Sequence, residues 1–232
     1  MITKNFINDF MVFTKGDNQQ YISILKRFLS YNINVIKVFR NIDDTKVYLI
    51  DTESGKFILK VFSPKLKKAE RFFKSLFKGD YYENLFFQTA RVKRQGLTSI
   101  NDFYLLAEKK IFRFVHTYIM LIEYIEGTEL SEVEYIDEKT KAKIKDAIDE
   151  LHQFGMVSGD PHKGNFIIQN GQIRIIDLSG KSPSMMRVAK DWVDLERHYG
   201  IDNTNKNIGY YLYKLKKNFR DIKHRLQGKP VH

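Results

Sequence analysis

The chain has no cysteine among its 232 residues and no long apolar run. The missing thiols exclude disulfides and cysteine-ligated zinc, and they fit a reducing compartment. No stretch of about 18 apolar residues occurs, so the sequence predicts no membrane span. The longest apolar candidate, Tyr118 to Ile125, is interrupted by Glu123 and predicts a buried strand. Near the N-terminus Asn8 and Asp9 break the apolar residues, so we expect no secretory signal.

Acidic residues are fewer than basic residues. The chain has 28 Asp and Glu against 39 Lys and Arg, which gives a formal net charge of +11. Such a balance favours an anionic partner, which could be nucleic acid, phospholipid headgroups or a phosphorylated glycolipid. The sequence has no zinc-finger spacing, no ribonucleoprotein aromatic motif and no suitably placed Gly-x-x-Gly clamp. Specific nucleic-acid recognition is therefore not expected.

One segment in the second half of the chain is rich in polar side chains that are common in active sites. It reads Ser-Gly-Asp-Pro-His-Lys-Gly-Asn and continues through two short apolar runs to Ile-Asp. Between the runs, Asn170 and Gly171 form a pair that is typical of two-residue hairpin turns. If they make the turn, Asn165 lies opposite Ile176. Asn165 and Asp177 then emerge side by side at the open end of the hairpin.

The spacing of polar residues in this segment matches a kinase catalytic loop, in which an Asp is followed five residues later by an Asn and then, after a hairpin, by a second Asp. Magnesium prefers oxygen ligands, so Asn165 and Asp177 suit a metal–phosphate site. Asp160 is then free to accept a hydrogen bond from an attacking hydroxyl and to orient it. Either His162 or Lys163 could neutralise a phosphoryl oxygen. The alternative is that these residues only form turns.

Short β-branched and aromatic runs predict an antiparallel sheet in the first half of the chain. They cover residues 35–39, 46–51, 56–62, 103–108 and 118–124. The last run leads into Glu-Tyr-Ile-Glu-Gly at residues 123–127, which is placed like a kinase hinge. Backbone groups of Glu123 and Ile125 would there be available to the edge of an adenine.

Lys60 interrupts the otherwise apolar third run, and a buried lysine is costly unless it is paired. Helical spacing follows over residues 65–94 and is divided near Gly79. This segment contains two glutamates. Glu83 is the preferred partner of Lys60, and Glu70 is the alternative. A third interpretation is an edge-strand lysine that faces water.

Three further helices are predicted in the second half of the chain. They run from an N-cap at Asp137 to about Phe154, over residues 190–199 and over residues 210–226. The last carries apolar residues at three- to four-residue spacing, with many lysines and arginines on its other face. Core packing accounts for the apolar residues. Contact between the basic face and an anionic membrane surface is the alternative.

The order of these features resembles the protein-kinase-like fold over about residues 30–200. The resemblance implies a single α+β domain with two lobes. A small antiparallel-sheet N-lobe would reach about residue 125, and a mostly helical C-lobe with a basic final helix would begin near residue 128. The loop Gly-Asp-Pro-His-Lys-Gly-Asn is closer to small-molecule and atypical kinases than to regulated protein kinases. The whole chain is similar to the lipopolysaccharide core heptose(II) kinases of enteric bacteria.

This resemblance implies ATP- and magnesium-dependent phosphorylation of a heptose in the lipopolysaccharide inner core, on the cytoplasmic side of the inner membrane. The acceptor would be the lipopolysaccharide core, and peripheral contact with the membrane would be possible. Residue by residue, the family pattern places the nucleotide-phosphate lysine at Lys60, the catalytic aspartate at Asp160 and the metal ligands at Asn165 and Asp177. Asp191 matches an aspartate that supports the catalytic loop.

The chain departs from the kinase pattern in several places. The first hairpin has no Gly-x-Gly-x-x-Gly, so Arg40 or backbone amides would have to contact the phosphates. Ser158 stands in place of the usual His, and Gly159 replaces the Arg that would pair with a phosphorylated activation loop. No Ala-Pro-Glu follows Asp177. Control by loop phosphorylation and docking of peptide substrates are therefore not expected.

Two alternative functions remain. One is a kinase for a soluble metabolite or antibiotic, of the aminoglycoside or choline type, but acidic pockets usually serve such cationic substrates and the charge of +11 weighs against it. The other is a non-catalytic pseudokinase or anion-binding protein. The joint presence of Lys60, Asp160, Asn165 and Asp177 weighs against that second alternative.

Overall fold

The computed structural model describes residues 1–16, 18–42, 44–63, 81–111, 114–203 and 206–227. The chain divides into two compact units, Met1–Glu126 and Gly127–His232. The division falls within residues 123–127, where the sequence predicts a hinge. The role of this segment as a hinge stays a prediction.

The first unit contains an antiparallel sheet of seven strands. The strands are β1 (Ile2–Ile7), β2 (Phe10–Lys15), β3 (Asn34–Ile42), β4 (Thr45–Thr52), β5 (Gly55–Phe62), β6 (Phe103–Ile111) and β7 (Phe114–Glu123). In spatial order they are β1, β2, β6, β7, β5, β4 and β3. All five predicted strands are present, and each is longer than predicted.

The N-terminal hairpin and the helix that follows were not predicted. Asn8 and Asp9 form the turn between β1 and β2, and Asn8 adopts a positive φ of 51°. The polar pair that argues against a secretory signal is therefore a hairpin turn. Helix α1 (Gln19–Leu29) begins where the Asn18 side chain accepts a hydrogen bond from the Gln20 N–H. Such a cap satisfies an N–H group that has no partner within the helix.

Helices pack against both faces of this sheet. On one face, Leu25 of α1 joins a buried cluster with Leu59 of β5 and Leu121 of β7. On the other face, Phe86 of helix α2 (Tyr81–Arg94) packs with Met120 of β7. Helix α2 confirms the second of the two helices predicted over residues 65–94. The first lies outside the described residues.

The second unit is mainly helical. Helix α3 (Glu138–Gln153) has the predicted N-cap, since the Asp137 side chain accepts from the Thr140 N–H. A small sheet has the order β10, β9, β8. Its strands are β8 (Thr128–Glu129), β9 (Phe166–Gln169) and β10 (Gln172–Ile175), and helices α4 (Met185–Tyr199) and α5 (Ile208–Leu226) complete the unit. A sheet-rich unit followed by a mainly helical unit confirms the predicted α+β class.

The apolar residues that the sequence predicts at regular spacing on α5 do not lie in the core. Leu215 and Phe219 are 53% and 65% exposed, so the core-packing interpretation of this helix is wrong. None of the helices within the described ranges is both long enough and apolar enough to cross a bilayer.

Candidate active site

The hairpin between β9 and β10 has the geometry that its sequence predicts. Asn170 and Gly171 both adopt positive φ angles, 50° and 74°, as a type I′ turn requires. One residue beyond the last strand pair, the Ile176 N–H donates to the Asn165 carbonyl at 2.9 Å. Asn165 therefore lies opposite Ile176, and Asp177 follows directly. The predicted register is confirmed.

Asn165 is buried and ties the hairpin to the preceding loop. Its side-chain amide Nδ2 donates to the carbonyl oxygen of Asp160 at 2.8 Å. Because the NH₂ group is used inside the protein, the amide oxygen Oδ1 is the group of Asn165 that a cation can bind. The sequence pattern gives the spacing between Asp160 and Asn165, and this hydrogen bond gives the physical reason for it.

Asp160 is held by its backbone while its carboxylate stays accessible. Its carbonyl accepts from Asn165 and also from the His162 N–H at 2.9 Å. Its side chain is 67% exposed. The loop thus fixes the position of the residue through its backbone, and the carboxylate stays accessible from outside the protein.

His162 caps the short 3₁₀ turn Lys163–Asn165. Its Nδ1 accepts a hydrogen bond from the Gly164 N–H at 3.0 Å, and its Nε2 lies 4.0 Å from Asp160 Oδ2. An accepting ring nitrogen carries no proton, so the ring proton lies on Nε2. That arrangement suits a donor towards the Asp160 carboxylate. Lys163 is half-buried in the same turn.

Asp177 is exposed and has a positive φ of 54°. This left-handed conformation is uncommon for residues other than glycine, although Asp and Asn tolerate it best. It occurs where the chain leaves β10 beside Asn165. Asn165 and Asp177 therefore both lie at the open end of the hairpin. The oxygen atoms of their side chains are donors of the kind that magnesium prefers.

A buried carboxylate supports the start of the loop that carries Asp160. Asp191, in α4, accepts hydrogen bonds from the Ser158 N–H and the Gly159 N–H, each at 2.8 Å, and from His152 Nε2 at 3.0 Å. It is fully buried. The contacts match the loop-supporting role that the kinase resemblance implies for Asp191. His152 is thus packed against this carboxylate.

Lys190 also holds Gly159, through the carbonyl of that residue. Its ammonium donates to the Gly159 carbonyl and to Asp194 Oδ2, the latter at 2.6 Å. Burial lowers the pKa of Lys190, but the hydrogen bond and negative charge of Asp194 outweigh it, so the pKa lies above its ordinary value. Lys190 is therefore charged at neutral pH. The role of Lys190 was not predicted, although its i,i+4 spacing to Asp194 is a signal for such a pair.

Gly159 occupies a position that no other residue fits. Its φ is +82°, and a Cβ atom there would lie 2.8 Å from the Cβ of Ser179. Both the backbone conformation and the close approach to the segment after Asp177 require glycine. The replacement of the usual Arg at this position thus has a steric reason in this chain.

We expect Gly159→Ala to lower the free energy of unfolding by roughly 1–3 kcal/mol, because it adds both strain and a steric clash. The predicted phosphotransfer activity should fall with it, since Gly159 directly precedes Asp160. Urea unfolding and initial rates check this. Gly16→Ala is the matched control, because Gly16 also has a positive φ but a Cβ there would meet no atom within 4 Å. Equal destabilisation by both changes would show that the clash with Ser179 does not contribute to the effect.

Two other residues near the loop, Glu129 and His198, were not predicted from the sequence. A Cβ on Gly164 would lie 3.1 Å from Glu129 Oε1, so the Glu129 carboxylate adjoins the loop. Burial is the main cause that lowers the pKa of His198, and Asp160 is among the charges that oppose the shift. His198 thus lies within electrostatic range of Asp160. Neither residue stands in a local motif, so only the folded chain reveals them.

Lys60 lies in the first unit, on an interior strand. It pairs with Val47 of β4 and Met120 of β7, so the edge-strand interpretation is wrong. Directly paired residues share a sheet face, and Met120 packs with α2 on that face. Glu83 is in the first turn of α2, so it belongs to the helix on the same side as Lys60. The Lys60–Glu83 pair stays a prediction, and Glu70 lies outside the described residues.

Glu123 is more constrained than the sequence suggests. Its backbone N–H donates to the Asp102 carbonyl at 2.9 Å, and its carboxylate accepts from the Asp102 N–H at 2.8 Å. The expectation that its backbone groups are generally available is therefore wrong for the N–H. The adenine contacts of the Glu123 carbonyl and of Ile125 stay predictions. Ile125 has a buried side chain two residues on.

Comparisons with known proteins identify the family of this chain. A family model described as "Lipopolysaccharide core biosynthesis protein (WaaY)" matches residues 1–229. The chain belongs to this family. It is 63% identical over 231 residues to the "Lipopolysaccharide core heptose(II) kinase WaaY" of Escherichia coli strain K12, with 100% of each chain covered.

A second relative in the WaaY family gives the same result. It is an Escherichia coli protein that also carries the name "Lipopolysaccharide core heptose(II) kinase WaaY", and it is 49% identical over 229 residues. The match covers 99% of this chain and 100% of the relative. Membership of the WaaY family confirms the resemblance drawn from the sequence.

Proposed function

We propose that this chain transfers the γ-phosphoryl group of ATP to a hydroxyl of heptose(II) in the lipopolysaccharide core. The observation that carries the proposal is the hydrogen bond from Asn165 to the carbonyl of Asp160, which joins an exposed carboxylate to the hairpin end that bears Asp177. The two WaaY relatives are named as kinases of this acceptor. In this proposal the two units are the N-lobe and C-lobe of one kinase-like domain.

Asp160 is the proposed catalytic residue. Its carboxylate accepts a hydrogen bond from the acceptor hydroxyl and orients it towards the γ-phosphorus. The hydroxyl oxygen bonds to that phosphorus, the bond to the β,γ-bridging oxygen breaks and ADP leaves. The hydroxyl proton passes to Asp160. His162, with its proton on Nε2, helps to orient the carboxylate.

Asn165 and Asp177 are the proposed magnesium ligands. The fit rests on the amide oxygen left over by the Asn165–Asp160 hydrogen bond and on the exposed carboxylate beside it. Bound magnesium supplies positive charge that neutralises the phosphate oxygens. The protein holds its two ligands in place through the Asn165–Ile176 backbone pair, so the site needs little reorganisation.

The remaining nucleotide contacts are assigned to backbone and cationic groups. We assign the adenine edge to the carbonyl of Glu123 and the N–H of Ile125, and the phosphates to Lys60 with Glu83 as its partner. Lys163 is the proposed positive group for a transferring phosphoryl oxygen. His162 suits this task less well, because its Nδ1 already accepts from Gly164.

We further propose that the enzyme works on the cytoplasmic face of the inner membrane, in peripheral contact with it. The formal net charge of +11 supports this, because both an anionic leaflet and a phosphorylated glycolipid attract a basic protein. Electrostatic attraction of this kind raises the local concentration of enzyme at its acceptor.

The test is transfer of labelled γ-phosphate from ATP to purified lipopolysaccharide whose core lacks the heptose(II) phosphate. The reaction is run with and without magnesium, beside free sugars, aminoglycosides, choline and a protein mixture. We expect label on the lipopolysaccharide alone, and only with magnesium. Label on a soluble acceptor would keep the kinase chemistry but overturn the acceptor. Absence of label everywhere would contradict the proposal.

A further inference from the structure

Helix α5 carries six large apolar side chains on one face, and all of them are exposed. Their spacing alternates between four and three residues, so they form a stripe about 80° wide along the helix. We call this set the apolar stripe. Its members are between 46% and 84% exposed and comprise Ile208, Leu212, Leu215, Phe219, Ile222 and Leu226.

The opposite face of α5 is the one that packs on the protein. Tyr210 is buried and packs, with Tyr213, against Ala189 and Val193 of α4. The Tyr210 hydroxyl donates to Glu196 Oε2 at 2.9 Å, which fixes the rotation of the helix. These contacts direct the apolar stripe away from α4. A contiguous apolar surface of this kind usually marks an interaction site.

Close contact at the start of α5 reinforces this orientation. A Cβ atom on Gly209 would lie 2.6 Å from the carbonyl oxygen of Met185, so the two helices approach closely there. Lys214 sits 4.5 Å from the centre of the Tyr210 ring and 3.7 Å from Glu196 Oε2. The first two turns are therefore anchored, and rotation that would bury the apolar stripe would break these contacts.

Positive charge surrounds the apolar stripe. Lys216 and Arg225 are exposed and flank it on opposite sides. Among the side chains of α5 that the structure describes, Asp221 is the only acidic one. The basic ones are Lys214, Lys216, Lys217, Arg220 and Arg225.

We propose that α5 docks this protein on an anionic membrane surface, with the apolar stripe among the acyl chains and Lys216 and Arg225 on the headgroup phosphates. An amphipathic helix with an apolar face and a basic polar face is suited to this interface. A second copy of α5 fits the stripe less well, because its flanking lysines and arginines would face like charges. The choice of a membrane rests in part on the proposed function, since the proposed acceptor is a glycolipid.

Vesicle flotation tests this proposal with the full chain. Phosphatidylcholine vesicles are compared with vesicles that also contain about 30% phosphatidylglycerol, at low and moderate salt. Two double variants probe the two parts of the surface: Leu215→Ser with Phe219→Ser, and Lys216→Gln with Arg225→Gln. The matched controls are Phe6→Ser, which alters a side chain 77% exposed elsewhere, and Lys56→Gln with Lys139→Gln, which remove exposed charges from other elements.

We expect the parent protein to bind the anionic vesicles and to bind phosphatidylcholine alone far more weakly. Each α5 variant should lose roughly tenfold or more in vesicle affinity, whereas the controls should bind like the parent. Phosphorylation of lipopolysaccharide in vesicles should fall in parallel, while phosphorylation of a deacylated soluble core should not change. Equal vesicle binding by all variants, or absence of binding by the parent, would overturn the proposal.

Sedimentation without lipid tests whether a second copy of the chain covers the apolar stripe instead of a membrane. A stable dimer that the Leu215→Ser, Phe219→Ser variant dissociates would show that a second copy covers the apolar stripe, and it would contradict membrane docking. Vesicle binding needs neither ATP nor acceptor. Failure of docking is therefore distinguishable from failure of the proposed phosphotransfer.

Discussion

Asp160→Ala is expected to lower the rate of phosphotransfer by a factor of roughly 10² to 10⁴, because it removes the group that accepts the hydroxyl proton. The fold should survive. The carbonyl of residue 160 keeps its hydrogen bonds from Asn165 and His162, and the lost carboxylate is exposed. ATP affinity should stay within about threefold of the parent, since the proposed nucleotide contacts lie elsewhere. Single-turnover rates and calorimetric titration with ATP check both expectations.

The matched control for this change is Asp202→Ala, which removes an exposed carboxylate from the same unit. Its rate should equal that of the parent. Asp160→Asn should be nearly as slow as Asp160→Ala, because an amide accepts a hydrogen bond but does not take up the proton. Equal loss of ATP affinity and rate in Asp160→Ala would identify a structural residue instead.

Asp191→Ala is expected to lower the free energy of unfolding by roughly 3–5 kcal/mol. The change removes the buried carboxylate that accepts from two backbone N–H groups and from His152. Those three donors then lose this hydrogen-bond partner. The rate of phosphotransfer should also fall, because Ser158 and Gly159 begin the loop that positions Asp160. Urea unfolding and initial rates measure the two effects.

Asp191→Asn separates positioning from stability. An amide offers one acceptor oxygen where the carboxylate offers two, so part of the hydrogen bonding is kept and the stability loss should be smaller. At a temperature where this variant is fully folded, we expect kcat to fall while KM for ATP stays near the parent value. A parent-like kcat in a folded Asp191→Asn would show that the carboxylate stabilises the unit without positioning Asp160.

The part of the site that the sequence predicts best is the part that local geometry determines. Asn170 and Gly171 both tolerate positive φ, so the turn type and register follow from two residues. That register alone puts Asn165 beside Asp177. The N-cap at Asp137 is predicted for the same reason, since a short polar side chain directly before a helical run commonly accepts a hydrogen bond from the first turn.

Other features depend on contacts between distant parts of the chain. The Glu123 N–H is taken up by a hydrogen bond to the Asp102 carbonyl, and the two residues are 21 positions apart in the sequence. No local sequence pattern shows this contact. Lys190 acts through the carbonyl of Gly159, 31 residues away. A buried acceptor can draw a donor from anywhere in the fold, so sequence spacing does not identify such partners.

The apolar stripe of α5 illustrates a different limit. Helical periodicity predicts which side chains share a face, and it does so correctly here. It does not say whether that face meets the core or another surface. Tyr210 and Tyr213, on the opposite side, make the contacts with α4 and so decide the question. The +11 charge offers a hint towards an external anionic partner.

The most direct test of the proposed function is the mass spectrum of lipopolysaccharide core from cells that lack their own heptose(II) kinase. The cells express either this chain or its Asp160→Ala variant at matched levels. We predict that the parent chain adds the mass of one phosphate, that fragmentation places it on heptose(II), and that the variant adds none. A phosphate on another sugar, or an unchanged core with a stably expressed parent chain, would contradict the proposed function.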